Sequence, residues 1–211
     1  MLEEKEEAKP KTARYIDPLS IAFEPQVATW RKELSNRMGR FWVRFSHFAA
    51  RHWLWLVNAV NLFFLSVAFL VPLAEEAGWN DLARPFFKFC SLVCVQNPAH
   101  SFYFGQHQMA LCERCLAIYA VLGLLGLLFQ IVRHRLRPIQ FWHYCLLVAP
   151  MALDGFTQLF GWRESTWELR LLTGALFGLA SFWYMYPQLE VWMEHLKFWA
   201  RRNLAPSNTS R

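Results

Sequence analysis

The chain has 211 residues, of which 55% are hydrophobic and 17% aromatic, and its formal net charge is +6. Its apolar residues lie in long runs, which is typical of a membrane protein and argues against an ordinary soluble domain. The basic residues flank these runs, so the sequence favours a membrane surface as their partner, and we expect no nucleic-acid partner.

The N-terminal quarter of the chain divides into two predicted segments. Residues 1–25 are polar and rich in charge and proline, which predicts a mobile tail. Residues 26–52 predict a basic amphipathic helix lying at the bilayer interface, where it would contact anionic lipid headgroups. Its apolar residues recur at three- and four-residue spacing: Trp30, Leu34, Met38, Phe41, Phe45 and Phe48. The alternative is a helix that packs this stripe on a protein core.

Residues 53–187 predict a membrane domain of four helices, and the fold class is therefore an all-α polytopic membrane protein. The four spans are Trp53–Ala74, Ala110–Val132, Phe141–Trp162 and Glu168–Pro187. Each is close to the roughly 20 residues that cross the hydrocarbon core. A cysteine-rich loop, 76–109, joins the first two spans, and residues 188–211 predict an amphipathic C-terminal surface helix followed by a tail.

The distribution of lysine and arginine predicts the orientation in the membrane. The segment before the first span, the loop between the second and third spans, and the C-terminal segment are rich in both residues. By the positive-inside rule, both termini are cytoplasmic and the cysteine-rich loop is outside. No cleavable signal peptide is expected, because the first apolar run begins only near Trp53. We expect the plasma membrane of a prokaryote as the location.

Four of the five cysteines lie between residues 90 and 115. They form two short motifs, Cys90-x-x-x-Cys94 and Cys112-x-x-Cys115. Thiolates at such spacing can hold a tetrahedral metal ion, for which Zn²⁺ is the expected choice. The predicted ligands are drawn from these cysteines together with two histidines of the same stretch, His100 and His107.

Other interpretations of the cysteines remain open. An outer face is usually oxidising, so structural disulfides or a redox pair fit the same spacing. A third interpretation is that these cysteines are inert buried thiols. Cys145 lies apart from them, in the middle of the third span, and is expected to be a packing residue. A c-type haem is disfavoured because Leu116 follows Cys115, where a histidine would be required.

A second signal is Asp154, a carboxylate inside the third predicted span. Such a charge is costly and either pairs or serves a function. Arg114, Arg163 and Arg170 of neighbouring segments lie within reach of its predicted depth, and Gln158 lies one turn further on the same helix face. Two hypotheses remain: a structural Asp–Arg pair, or a proton or ion step in which Asp154, Arg114 and Arg170 are the candidate catalytic residues.

Two blocks of the sequence carry a resemblance to a known family. The first is Cys94-x-Gln96-x-Pro98-x-x-Ser101-Phe102 with Cys112-x-Arg114-Cys115-x-x-Ile118-Tyr119. The second runs from Asp154-Gly155-x-x-Gln158 through Arg163 and Ser165-Thr166 to Arg170-x-x-Thr173-Gly174-x-x-x-Gly178. Together they resemble the prokaryotic membrane-protein family catalogued as domain of unknown function number 2085, over about residues 86–184.

The resemblance implies a small polytopic protein with a central cysteine motif and carries no activity with it. It places Cys94, Cys112 and Cys115 at the core of the site, while Cys90 lies outside the family pattern. This chain has Val95 where the family has a histidine, and if that histidine is a ligand, His100 or His107 replaces it here.

Three functions are consistent with these observations. The first is a membrane protein with an outward-facing metal or redox site, supported by the Arg/Asp cluster, and acting as an accessory subunit alongside other membrane subunits. The second is a membrane-embedded thiol-redox or metal-dependent enzyme acting on an envelope or lipid substrate. The third is a small transporter that uses Asp154, which the apolar second span below Tyr119 disfavours.

Overall fold

The computed structural model describes residues 29–133 and 135–204, and these are mostly helical. The helices, in chain order, are α1 (Thr29–Glu76), α2 (Asn80–Cys90), α3 (Glu113–Val132), α4 (Phe141–Leu159) and α5 (Trp167–Leu204). Between α2 and α3 lie a 3₁₀ turn (Pro98–His100) and a two-stranded antiparallel hairpin of β1 (Tyr103–Phe104) and β2 (His107–Gln108). The predicted N-terminal tail and the last residues, from 205 onward, lie outside the described residues.

Helix α1 differs from the prediction of two successive helices, because it runs from Thr29 to Glu76 as one element. The chain divides into two compact units, one ending at Trp42 and one beginning at Val43. In the first unit, Trp30, Leu34 and Met38 expose their apolar side chains. Exposed Arg37 and Glu33 form an ion pair at 3.5 Å one turn apart. The interfacial role of the predicted amphipathic helix, residues 26–52, stays a prediction.

Two helices are long and apolar enough to cross a bilayer. They are the Glu33–Glu76 part of α1 and Glu113–Val132, which is the whole of α3. Among the described helices, α4 and α5 do not reach the same apolarity. Both helices carry charged residues within the predicted spans, Asp154 in α4 and Glu168 and Arg170 in α5, which lower their apolarity. The third and fourth predicted spans therefore stay predictions, although both segments are helical.

Close contact between α3 and α5 fixes the position of the cysteine motif. A Cβ atom at Gly174 of α5 would lie 2.6 Å from the backbone oxygen of Arg114, and one at Gly178 would lie 3.2 Å from that of Ile118. Only glycine permits such an approach without displacing the neighbouring backbone. The first turns of α3, which carry Arg114 and Cys115, are therefore held directly against α5.

The segment that was predicted as a loop contains regular structure. Helix α2 has 11 residues, and its buried Ala83 and Cys90 belong to an apolar cluster. Part of the cluster comes from the second half of α1, including Phe64, Val67 and Val71, and part from Met109 to Leu111. The segment with Cys90 and Cys94 and the segment with Cys112 and Cys115 therefore pack against the same apolar cluster.

Gln96 connects the two ends of this segment. Its Nε2 donates hydrogen bonds to the backbone oxygens of Phe87 and Ala110, each at 2.8 Å. Its own backbone oxygen accepts a hydrogen bond of 2.8 Å from Gln108. Gln96 has a φ of 53°, a left-handed conformation that is uncommon outside glycine. These bonds hold Cys94, two residues before Gln96, beside the start of α3.

Candidate metal centre

Cys94, Cys112 and Cys115 converge at the beginning of α3. Their sulfur atoms all lie within 4.8 Å of one another. Cys112 is the N-cap residue of α3 and Cys115 lies one turn later on the same face, while Cys94 approaches from the preceding loop. The backbone N–H of Cys112 donates to the Cys94 sulfur at 3.2 Å. Three thiolates about 2.3 Å from one Zn²⁺ would be separated by about 3.8 Å in tetrahedral geometry, so small shifts of the side chains suffice.

Hydrogen bonding favours a thiolate at Cys94. Hydrogen bonds from the thiols of Cys112 and Cys115 lower the pKa of Cys94 well below its usual range. Thiolates, and not thiols, bind metal ions and act as nucleophiles. Cys94 is buried, and the cluster therefore favours one thiolate in a buried position with two further sulfur atoms beside it.

Cys90 differs from these three cysteines in environment. It is fully buried at the end of α2 and packs in the apolar cluster one turn before Cys94. Burial, followed by the neighbouring Cys94, raises the pKa of Cys90 to about 11. Among the described residues, the set of close metal-ligating side chains comprises the other three cysteines and includes neither Cys90 nor the candidate histidines His100 and His107.

The two candidate histidines lie in different places. His100, at the end of the 3₁₀ turn, lines the same cleft as the three cysteines. Burial, followed by the charges of Arg170 and Arg114, lowers the pKa of His100 and so favours the neutral imidazole that metals require. His107, in β2, instead lies between Glu75 and Glu76 of α1, with N–O distances of 3.3 and 3.5 Å.

Asp154 of α4 forms the centre of a polar cluster and is only 4% exposed. Arg114 donates to its Oδ2, and Arg163 donates to its Oδ1 at 2.9 Å. Gln158 adds a hydrogen bond of 3.1 Å from one turn further on. Arg114 lies between Cys112 and Cys115, so this cluster is joined directly to the cysteine motif.

The structure pairs Arg170 with Glu113 rather than with Asp154. The Nη1 of Arg170 donates to Glu113 Oε2 at 2.9 Å, and both side chains are buried. Glu113 is not among the site residues predicted from the sequence. Two features of the sequence point to it: Glu113 directly follows Cys112 at the beginning of α3, and a buried Arg170 requires an acidic partner.

A cleft of about 430 Å³ opens beside the three cysteines. Its polar lining includes Asn97, His100, Arg114, Gln158 and Arg170. Its apolar lining comes mainly from the loop before Gln96 and from α3 and α4: Val93, Val95, Ile118, Met151 and Leu159. The cysteine centre therefore faces a cavity large enough for a small molecule.

Comparison with known sequences adds three findings. A family described as predicted membrane protein, DUF2085, matches residues 94–184, a range that begins at Cys94 and ends in α5. An uncharacterised protein of Methanocaldococcus jannaschii is 33% identical over 145 residues, which cover 65% of this chain and 92% of that protein. An uncharacterised protein of Methanothermobacter thermautotrophicus is 36% identical over 92 residues, or 41% of this chain and 78% of that protein. No solved structure matches the chain.

Proposed function

The chain belongs to the DUF2085 family of predicted membrane proteins, and on this premise we propose that it is an integral membrane protein that binds one Zn²⁺ ion. The ligands are Cys94, Cys112 and Cys115, with His100 in the fourth position. The observation that carries the proposal is the convergence of three sulfur atoms within 4.8 Å from two separate chain segments. Zinc accepts this Cys₃His set in tetrahedral geometry.

The proposed topology has four spans, with α4 and the first part of α5 as the third and fourth. Apolar side chains on both helices are exposed, among them Leu153, Leu159 and Leu172, which supports contact with lipid. The positive-inside rule then places both termini in the cytoplasm and the metal centre outside. A membrane-impermeant maleimide applied to intact cells tests this topology. The probe is a metal-free variant in which all native cysteines are replaced and Val95→Cys supplies the single thiol. It should be labelled, because Val95 is exposed.

A second candidate function is a metal-dependent or thiol-redox enzyme acting on an envelope or lipid substrate. The cleft beside the cysteines favours it, because a purely structural zinc site is closed. In that case His100 would be replaced at the metal by water or substrate. Membership in a larger membrane complex remains a prediction from the sequence.

Metal content tests the main proposal. The full-length protein, purified in detergent under reducing conditions, should contain one zinc per chain by inductively coupled plasma mass spectrometry. Cys94→Ser, Cys112→Ser and Cys115→Ser should each lose most of it. Cys90→Ser and Cys145→Ser are matched controls and should retain it. Protein that holds no zinc, and whose cysteines are instead paired as disulfides when the reductant is omitted, would refute the proposal.

A further inference from the structure

Helix α2 runs back along the second half of α1. It begins three residues after Glu76, the last residue of α1. Near its other end, the ring of Phe89 lies against Phe63 and Phe64 of α1, with centroid distances of 6.0 and 5.8 Å. A groove between the helices is lined by α1 residues from positions 63 to 74 and by α2 residues from positions 82 to 86. The two helices are therefore side by side and antiparallel.

This course gives α2 a depth in the bilayer, given the proposed insertion of the first span, residues 53–74. Phe64 precedes the outer end of that span by ten residues, which is about 15 Å along a helix axis and half of a hydrocarbon core of about 30 Å. Leu70, between these two levels, is exposed, which fits contact with lipid. Phe89 therefore lies near the middle of the bilayer, and α2 lies within its outer half.

Two cations of α2, Arg84 and Lys88, are exposed at this depth. They are one turn apart and share a helix face, whereas the buried Ala83 and Cys90 lie on another. In the described part of the chain neither cation has an acidic side chain within 4.0 Å, and the nearby Asp81 pairs with neither. A charge inside the hydrocarbon is costly unless it is paired or hydrated. The Arg84/Lys88 face therefore needs a partner other than lipid chains.

Two possible occupants fit this face poorly. Lipid phosphates lie at the bilayer surface, about 15 Å above the level of Phe89, and the stem of a lysine covers only part of that distance. A second copy of the chain, related by a two-fold axis along the membrane normal, would bring Arg84 and Lys88 close to the same cations of its partner. A helix of a different membrane protein can instead carry carboxylates at the required depth, where they pair with the two cations.

We propose that the Arg84/Lys88 face binds a transmembrane helix of another membrane protein, and that this helix supplies carboxylates in the outer half of the bilayer. The inference gives the predicted role as an accessory subunit a binding surface and a partner of defined chemistry. It rests on the proposed insertion of α1 across the bilayer and does not involve the zinc ion.

A synthetic peptide tests the proposal with the full-length protein in bilayers of phosphatidylcholine alone. The peptide has about 23 leucine and alanine residues, enough to cross the bilayer, and carries two glutamates one turn apart at its centre. A control peptide has glutamines at both positions. Energy transfer between a fluorophore on the peptide and one at the C-terminus of the protein measures the affinity. The glutamate peptide should bind about tenfold or more tightly than the glutamine peptide.

Neutralising both cations, by Arg84→Gln with Lys88→Gln, should abolish this preference for glutamate. Arg40→Gln with Arg44→Gln is the matched control, because it removes two exposed cations at the same spacing on α1 before the first span, and it should keep the preference. Equal binding of the two peptides, or an unchanged preference in the α2 variant, would overturn the proposal. Loss of the preference when phosphatidylglycerol is added would also overturn it, because anionic lipid would then occupy the face.

The depth of α2 is measured separately, with a fluorescent amino acid in place of Phe86, which lies on α2 away from the two cations. Lipids with a spin label deep in the acyl chain should quench it more strongly than iodide in the water. Stronger quenching by iodide would place α2 outside the bilayer, and the fault would then lie in the proposed topology and not in the choice of partner. Zinc content measured in the same samples reports on the metal centre independently.

Discussion

The guanidinium of Arg170 on α5 donates to the carboxylate of Glu113 on α3 at 2.9 Å, and both side chains are buried. Glu113 lies between Cys112 and Arg114, so this ion pair connects α5 to the first turn of the cysteine motif. Gly174 and Gly178 bring the two helices close enough for the pair to form. The cysteine cluster is therefore held by interhelical packing as well as by its own loop.

Breaking this pair should destabilise the protein strongly. Glu113→Gln leaves Arg170 as a buried charge without a carboxylate, which costs about 3–5 kcal/mol in comparable pairs. Thermal unfolding in detergent should show a clearly lowered Tm. The double variant Glu113→Leu with Arg170→Met should recover much of the loss, because it removes both charges. A double variant no more stable than Glu113→Gln would contradict a direct interaction.

Asp154→Asn should weaken the polar cluster that Asp154 forms with Arg114, Arg163 and Gln158. The amide keeps the shape but removes the charge that Arg114 and Arg163 share, so we expect a loss of about 1–3 kcal/mol in stability. Asp81→Asn, in the exposed part of α2, is the control for the same chemical change. The expected zinc content of Asp154→Asn is unchanged, and complete loss of metal with intact folding would instead assign Asp154 to the metal site.

The contact between α3 and α5 predicts an asymmetry between two glycines. Gly174→Ala should destabilise the fold by about 1–3 kcal/mol, because the added methyl group would meet the backbone oxygen of Arg114 at 2.6 Å. Gly155→Ala meets no atom within 4 Å and should be neutral or slightly stabilising, since alanine favours a helix. Equal thermal stability of the two variants would show that α3 and α5 are further apart than described.

The convergence of Cys94, Cys112 and Cys115 could be predicted because local spacing and the family pattern both pointed to it. The sequence predicted that Asp154 lies near three arginines, Arg114, Arg163 and Arg170, because a buried carboxylate needs a cation at its depth. Two of them, Arg114 and Arg163, pair with it. The Glu113–Arg170 pair was not predicted, because it depends on how α5 is rotated against α3. That rotation is set by close backbone contact at Gly174, which no hydrophobic pattern encodes.

The helix boundaries show a second limit of the sequence. Composition changes near Trp53 and at Pro187, and each change was interpreted as the end of a helix. The backbone of α1 and α5 continues through both positions, because a change of surface polarity does not interrupt hydrogen bonding and proline is accommodated within α5. Helix α2 lies inside the segment that the sequence predicts as the cysteine-rich loop, although its 11 residues have a clear helical pattern of apolar and polar side chains.

X-ray absorption spectroscopy at the zinc edge of the purified full-length protein tests the central claim most directly. Three sulfur ligands at about 2.3 Å and one nitrogen at about 2.0–2.1 Å are predicted, with the nitrogen signal lost in His100→Ala. A shell of four sulfur atoms would bring Cys90 into the site and contradict the assignment, and a shell of oxygen and nitrogen alone would contradict a cysteine metal centre altogether.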